Sequence, residues 1–134
     1  MALQVELVSP ERILYSGEAD MVIARTVGGG DIAFLPGHAP FVGALEIATV
    51  TIRSGGGDEL VAVHGGFVEV SGDTVTILSD VAELASQIDV ERARQSKDEA
   101  ERRLQSDHDA EAEGAVRRAH VRLAAAGGVT AATH

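Results

Sequence analysis

The side chains best placed to do chemistry lie between positions 83 and 92, where the chain contains Glu83, Asp89, Glu91 and Arg92. Two carboxylates held close together could serve as a general acid and a general base, as in a small hydrolase. The same residue types have a simpler role at the start of a helix, because Asp is a good N-cap and Glu in the first turn is favoured by the macrodipole. Arg92 would then join a helical ion pair. From the residues alone we favour the cap and the ion pair.

Three other sets of residues invite chemical interpretations, but none has the spacing that the chemistry requires. A phosphate-binding loop needs Lys and then Ser or Thr after its glycines, whereas an apparent strand follows Gly28-Gly29-Gly30 and the only lysine is Lys97. The five histidines include no i, i+4 pair and cysteine is absent, so we expect no metal site. No serine stands in Gly-x-Ser-x-Gly, so we expect no catalytic residue. We interpret His38 as capping loop backbone and His64 as lying at a strand end.

The charge of the chain is strongly negative and unevenly distributed. The net charge is −10, and residues 1–88 hold 12 acidic and 3 basic side chains, whereas residues 89–134 hold 9 and 8. Because so negative a front half repels nucleic acid and anionic lipid, we expect protein partners, particularly basic surfaces. Residues 1–6 lack the basic start and apolar run of a signal peptide, and no segment is apolar enough to span a membrane, so we expect neither feature.

The elements that must position these side chains begin with strands. Residues 1–86 show the two-residue period of half-buried strands, as at Leu3, Val5 and Leu7, interrupted by glycine-rich turns. Further candidate strands are 21–26, 31–35, 48–53, 59–64, 67–71 and 74–78, separated at Gly28-Gly29-Gly30, Gly55-Gly56-Gly57, Gly65-Gly66 and Gly72-Asp73. Many short strands at this spacing predict an N-terminal antiparallel β-sandwich, with Gly72-Asp73 as the clearest tight hairpin.

The hydrophobic period changes near Ile88, so residues 87–134 are predicted to form an antiparallel two-helix hairpin and a short flexible tail, which makes the chain α+β. The two apolar stripes are Val90, Ala93, Lys97, Ala100, Leu104 and Ala112, Val116, Ala119, Leu123, Ala126. Asp89 would cap the first helix, residues 106–109 would turn the chain, and Gly127-Gly128 would end the second helix. Because each buried methylene contributes only ~0.8 kcal/mol, stripes of alanine should dock weakly on the sheet and could detach.

A stiff loop is expected at residues 35–41, which read LPGHAPF, because Pro36 and Pro40 fix φ and lack amide donors. A rigid loop on a sheet scaffold suits recognition. The loop is preceded by GDIAFL at 30–35 and followed by GGFVEV at 65–70, VTIL at 75–78 and IDVERA at 88–93. In this order and spacing, ahead of a helical hairpin, these blocks resemble the epsilon subunit family of F-type ATP synthases over residues 3–126.

The resemblance implies a rotor subunit of the central stalk that makes no ATP itself. Members of this family link the gamma subunit to the membrane c-ring and regulate ATP hydrolysis by the alpha and beta subunits through mobile C-terminal helices. It implies no required cofactor and a place at the cytoplasmic face of the cell membrane, reached only through the complex. The implied gamma contacts are His38, Ala39, Pro40, Phe41 and Val42. The implied c-ring contacts are Gly29, Gly30 and Asp31, an acidic turn suited to basic loops.

The resemblance also implies ATP as a regulatory ligand, because some bacterial members bind it with their helices folded down on the sandwich. The matching residues are Glu83, Ile88, Asp89, Arg92 and Ala93. In that role Arg92 would meet the phosphates, while Glu83 and Asp89 would accept hydrogen bonds from the base or ribose. Position 99 is Glu where those members carry a further arginine, and Arg103 or Arg122 is the candidate substitute.

Two alternatives remain from the residues themselves. The first is a free-standing acidic β-sandwich that binds proteins and dimerises through its helical hairpin. The second is a small hydrolase, which rests on isolated carboxylates alone. Co-purification with a gamma subunit would support the rotor, a stable homodimer would support the free-standing module, and ATP hydrolysis by the isolated chain would support the enzyme.

Overall fold

The computed structural model describes residues 2–106 and 110–127, in which eight strands precede two helices. The strands are β1 (Leu3–Val8), β2 (Ile13–Ala19), β3 (Met21–Thr26), β4 (Gly30–Phe34), β5 (Phe41–Ser54), β6 (Gly57–Ser71), β7 (Thr74–Leu78) and β8 (Ala82–Leu84). A short 3-10 turn at Ala85–Gln87 leads to α1 (Val90–Ser106) and α2 (Ala110–Gly127). The predicted α+β class, with the sheet first and two helices after it, is confirmed.

The described strands form one hydrogen-bonded path in the order β2-β1-β7-β6-β5-β3-β4, and β8 pairs with β6. Neighbours along this path are antiparallel except β1 and β7, which run parallel with Gln4 opposite Thr74. Buried residues from both ends of the path, including Leu3 and Phe34, belong to one core cluster. The path therefore folds over on itself as the predicted sandwich, with a core built mainly from aliphatic side chains.

The two long strands β5 and β6 make this closure possible because the backbone of β6 bends at Gly65 and Gly66. Their pairing is continuous through the bend, with Ile47 opposite His64 and Leu45 opposite Gly66. The glycines have φ values of +85° and +115°, which L side chains rarely adopt. The predicted separate strands 59–64 and 67–71 are thus wrong, since one strand spans both. His64 consequently lies inside a strand rather than at a strand end.

Local turn signals gave better predictions than strand lengths. The hairpin at Gly72-Asp73 is confirmed, because Ser71 pairs with Thr74 and Gly72 has a φ of +61°. By contrast, β5 begins at Phe41 rather than at residue 48, and β4 spans Gly30–Phe34 rather than 31–35. Strand β2 was not predicted; its sequence, ILYSGEA, has no regular alternation.

Helix α2 docks on the outer face of β5 and β6 through a small apolar cluster. Its buried members are Ala62, Ile88, Val121 and Ala125, with Ile47, Leu60 and Ala126 packed against them. Asp89 caps α1 as predicted, because its Oδ1 accepts a hydrogen bond from the Arg92 amide at 3.0 Å. Alanine dominates the helical side of this interface, so its apolar stabilisation is small. The predicted turn at 106–109, the end at Gly128 and the tail lie wholly or partly outside the described residues.

Deleting residues 89–134 is expected to leave a folded sheet domain. The described core cluster of the sandwich draws its buried side chains from strands and none from α1 or α2, so the deletion leaves that core complete. Thermal unfolding followed by far-ultraviolet circular dichroism should show one cooperative transition, and amide resonances should remain dispersed. A fragment 1–88 without a cooperative transition would contradict the expected independence of the sandwich.

Candidate functional site

A cavity of about 350 Å³ opens where the sheet meets the helices. It is lined by Glu83, Gln87, Asp89, Arg92, Ala93, Ser96 and Arg122. Five of the six residues assigned to ATP by the resemblance therefore share one pocket, although Arg122 is on the second helix and far from the others in sequence. The sixth, Ile88, packs instead in the cluster that docks α2.

The start of α1 places two of the lining groups. Residues Arg92 and Ser96 are four apart on the helix and so share a face, while the Asp89 carboxylate caps the first turn. The expected helical ion pair of Arg92 is wrong: Glu91 instead pairs with Arg94 at 3.5 Å. Within residues 2–106 and 110–127, the guanidinium of Arg92 has no ion-pair partner. It is thus available to an anionic group in the pocket.

Glu83 fastens α2 to the sheet. Its Oε1 accepts a hydrogen bond from Nε of Arg122 at 2.5 Å, and Nε2 of His64 lies 3.4 Å from the same oxygen. The His64 side chain is only 4% exposed, and no described residue gives either ring nitrogen a hydrogen bond. Burial lowers the pKa of His64, the charge of Arg122 lowers it further, and Glu83 opposes both. His64 is therefore neutral at pH 7.

The site balances two arginines against two carboxylates and adds the neutral polar groups of Gln87 and Ser96. Such a lining can hold an anion near Arg92 and accept hydrogen bonds at its acidic end. Both carboxylates of the proposed acid–base pair already have structural partners, since Glu83 binds Arg122 and Asp89 caps α1. In the described part of the chain, no group of three or more His, Cys, Asp or Glu residues is placed to hold a metal ion.

Sequence reasoning missed three residues of this region. Ser96 could have been found, because its helical spacing from Arg92 puts the two on one face. Gln87 directly precedes the motif at 88–93 but has no signal of its own. His64 could not have been found, because its approach to Glu83 depends on the pairing of β6 with β8.

The loop at residues 35–41 is held by a turn hydrogen bond and by ring contacts. The His38 amide donates to the Leu35 carbonyl at 3.0 Å, and Gly37 has a φ of +84°, so Pro36 and Gly37 occupy the central positions of a tight turn. Nδ1 of His38 lies 2.7 Å from the Ala39 carbonyl oxygen, which confirms that this histidine serves loop backbone. Its ring also packs edge-on against Phe34, with centroids 5.0 Å apart.

Beside this loop the sheet exposes an apolar row that the sequence did not reveal. Strand pairing aligns Ile13, Val8, Leu78, Phe67 and Ala44 across five strands. Ile13 is 60% exposed, Phe67 56% and Leu78 47%. Val42, 69% exposed, follows on the same face of β5. An open apolar row of this length indicates a protein-binding surface, which we call the apolar row.

The turn between β3 and β4 was expected to present a negative charge, but its carboxylate is paired with an arginine. The carboxylate of Asp31 takes two hydrogen bonds from the guanidinium of Arg25, at 2.9 and 3.2 Å. The ion pair is exposed, and the hydrogen bond to Asp31 raises the pKa of Arg25. The carboxylate of Asp31 is consequently not free, because Arg25 of β3 offsets its negative charge.

Fold and sites together define a two-part protein: a sandwich with an exposed apolar row, and a helical hairpin that meets the sandwich at a pocket. The family model for the β-sandwich domain of the ATP synthase delta/epsilon chain matches residues 2–85. The model for the long α-helix domain of the same chain matches residues 86–127. The chain belongs to the ATP synthase delta/epsilon chain family, which confirms the resemblance found in the sequence.

Similar proteins agree with this assignment. The chain is 50% identical to an ATP synthase epsilon chain of Streptomyces griseus, over 92% of this chain and 94% of that protein. It is 52% identical to an ATP synthase epsilon chain of Brevibacillus brevis, over 76% and 77%. The fold matches a chain in the Euglena gracilis mitochondrial ATP synthase with a TM-score of 0.71, at 23% identity, over 99% and 82%. These likenesses favour a synthase subunit over a free-standing module.

Neither α1 nor α2 has both the length and the hydropathy that a bilayer crossing requires.

Proposed function

We propose that the chain is a non-catalytic rotor subunit of an F-type ATP synthase, which joins the gamma subunit to the c-ring at the cytoplasmic face of the membrane. The observation that carries the proposal is the 50% identity to an epsilon chain over nearly the full length of both proteins. The subunit would be a peripheral one, held at the membrane through the complex. Its helical hairpin would regulate ATP hydrolysis by the alpha and beta subunits.

The gamma subunit is the proposed partner of the loop and the apolar row. The proposed contacts are His38, Ala39, Pro40, Phe41 and Val42, extended by Phe67 and Leu78. This extension is supported by exposure, because Phe67 and Leu78 point outward beside Val42 and would be covered in an assembly. The turn at residues 29–31 is the proposed c-ring contact. Since Asp31 is paired with Arg25, that contact would depend more on shape than on net charge.

Assembly tests this proposal directly. The purified chain is mixed with a gamma subunit and analysed by size-exclusion chromatography with light scattering. A one-to-one complex supports the rotor subunit. A stable homodimer that does not bind gamma would instead support the free-standing module. ATP hydrolysis by the isolated chain would contradict a non-catalytic role.

The pocket at the sheet–helix junction is the proposed site for ATP as a regulatory ligand. Arg92 supports this role, because its guanidinium lines the pocket without an ion-pair partner among the described residues. A ligand there would touch Glu83 on β8 and Ser96 on α1 together. It would accordingly bind the docked hairpin more tightly than the released one and would hold the helices down.

Arg92→Ala is expected to weaken ATP binding at least tenfold, because it removes the charge-assisted donor that faces the pocket. Calorimetric titration of the isolated chain should give a dissociation constant roughly between micromolar and millimolar. Arg94→Ala is the matched control, since Arg94 pairs with Glu91 and does not line the pocket. No heat at millimolar ATP, or equal losses in both variants, would remove the nucleotide role and leave the rotor assignment untouched.

A further inference from the structure

His64 is a buried imidazole surrounded by charge but without a hydrogen bond. Its side chain is 4% exposed, and neither ring nitrogen has a hydrogen-bond partner among the described residues. A charged atom, Oε1 of Glu83, lies 3.4 Å from Nε2. That oxygen already accepts a hydrogen bond from Arg122. A buried polar ring left in this condition calls for an explanation, because most such groups are satisfied.

The burial of His64 depends on the docked position of α2. His64 lies two residues after Ala62 on β6, so the two side chains face the same side of the strand. Ala62 belongs to the cluster in which Val121 and Ala125 of α2 pack on the sheet. Arg122 of the same helix reaches Glu83 beside the imidazole. If α2 leaves the sheet, the ring loses its cover and gains access to water.

The charges that face the ring come from two elements. Strand β8 contributes Glu83, and α2 contributes Arg122 and the more distant Arg118. Asp80, which precedes β8, lines a shallow cavity together with residue 64. Strand β5 contributes the apolar Ile47 opposite His64. A proton on the ring would be opposed by both arginines, while its natural counter-ion, Glu83, is held by Arg122.

We propose that His64 makes the docking of the helical hairpin sensitive to pH, so that acidification releases α2 from the sheet. A protonated ring in the docked state would lie unsolvated beside Arg122 and would compete with it for Glu83. In the released state the same ring would be hydrated and could pair with Glu83 freely. The inference rests on the mobile hairpin of the proposed function, and it adds the proton as the ligand that favours the released state.

The direction follows from linkage. Burial lowers the pKa of His64 in the docked state, and release restores it towards the ordinary value of about 6.5. Because the docked ring binds a proton less readily than the released ring, protons favour release. Docking is therefore strongest above the ordinary pKa, where the ring is neutral in both states. Docking then weakens as the pH falls below about 6.5, by up to about tenfold in the docking constant for each pH unit between the two pKa values.

The chain contains no cysteine, so docking can be measured with two introduced labels. Spin labels on Gly56→Cys in the β5–β6 turn and Arg117→Cys on α2 occupy exposed positions in the full-length chain. Pulsed electron resonance then gives the distance distribution at pH 8 and pH 5.5. We expect a single docked distance at pH 8, and a ratio of docked to released molecules that falls severalfold at pH 5.5, with a second, longer distance appearing, while circular dichroism remains that of a folded chain.

His64→Gln should keep the hairpin docked at both pH values, whereas His38→Gln in the loop at residues 35–41 is the control and should respond as the unmutated chain does. An imidazole titration by nuclear magnetic resonance in the unmutated chain provides a second measurement, which should place the apparent pKa of His64 below 6.5. The inference is wrong if the docked fraction does not change with pH, or if His64→Gln responds as strongly as the control. Failure to bind gamma would overturn the proposed function but would not alter this result.

Discussion

Replacing Gly66 by alanine is expected to destabilise the sandwich by about 3 kcal/mol or more. A Cβ atom at this position would lie 2.0 Å from the carbonyl oxygen of Leu78 and 3.0 Å from Cα of Ser79. Both are backbone atoms, so no side-chain rotation can relieve the overlap. The φ of +115° adds strain for any L side chain. The bend that lets β6 serve both layers of the sandwich therefore requires glycine here.

Urea unfolding of the full chain would measure this loss as a lower transition midpoint. Gly55→Ala is the matched control, because the β5–β6 turn leaves open space around a Cβ and its φ is not in the left-handed region. We expect that control to stay within about 0.5 kcal/mol of the unmutated chain. Equal midpoints for the two variants would show that β7 can move away from β6 and would contradict the close approach.

Phe67→Asp is expected to weaken gamma binding by roughly 30-fold or more and to leave the fold intact. Phe67 is in the middle of the apolar row and is more than half exposed, so the change costs the isolated sandwich little. In a closed interface it would bury an unpaired carboxylate, which costs about 2–5 kcal/mol, or a loss of affinity of roughly 30-fold to several thousand-fold. His38 and Phe41 are poorer targets, because both rings pack against Phe34.

Gamma pull-down with matched concentrations of folded protein would test this expectation. Val90→Asp is the control, because Val90 is also apolar and exposed but lies at the start of α1, outside the apolar row. It should bind gamma as the unmutated chain does. If Phe67→Asp is retained on gamma to the same extent, the apolar row is not the contact surface.

Local sequence signals predicted the parts of the fold that depend on local physics. The bounds of β3 and β7, the turn at residues 72–73 and the cap at Asp89 follow from side-chain alternation and capping, which act over a few residues. The glycine pair at 65–66 misled the prediction, since two glycines usually interrupt a strand. At Gly66 the backbone of β7 lies close against the glycine. The alternation of side chains along one strand carries no information about such a contact between strands.

The candidate sites divide in the same way. Glu83, Asp89 and Arg92 stand close in sequence, so a motif could identify them as a group. The approach of Arg122 to Glu83 depends on how α2 packs on the sheet, and no spacing predicts it. The apolar row depends on the register of non-consecutive strands, such as Val8 beside Leu78. Each of these is visible only once the tertiary arrangement is known.

The parallel pairing of β1 with β7 sets the order in which the chain can fold during synthesis. Gln4 pairs with Thr74, so one edge of β1 remains without its neighbouring strand until nearly all of the sheet has left the ribosome. Contacts of such sequence separation are slow to form because a long loop must close first. The helices depend on local contacts and can form and reform quickly. Pairing of β1 with β7 is therefore a late and slow step of folding. Formation of the helices is a fast step that can be repeated after the sheet is complete.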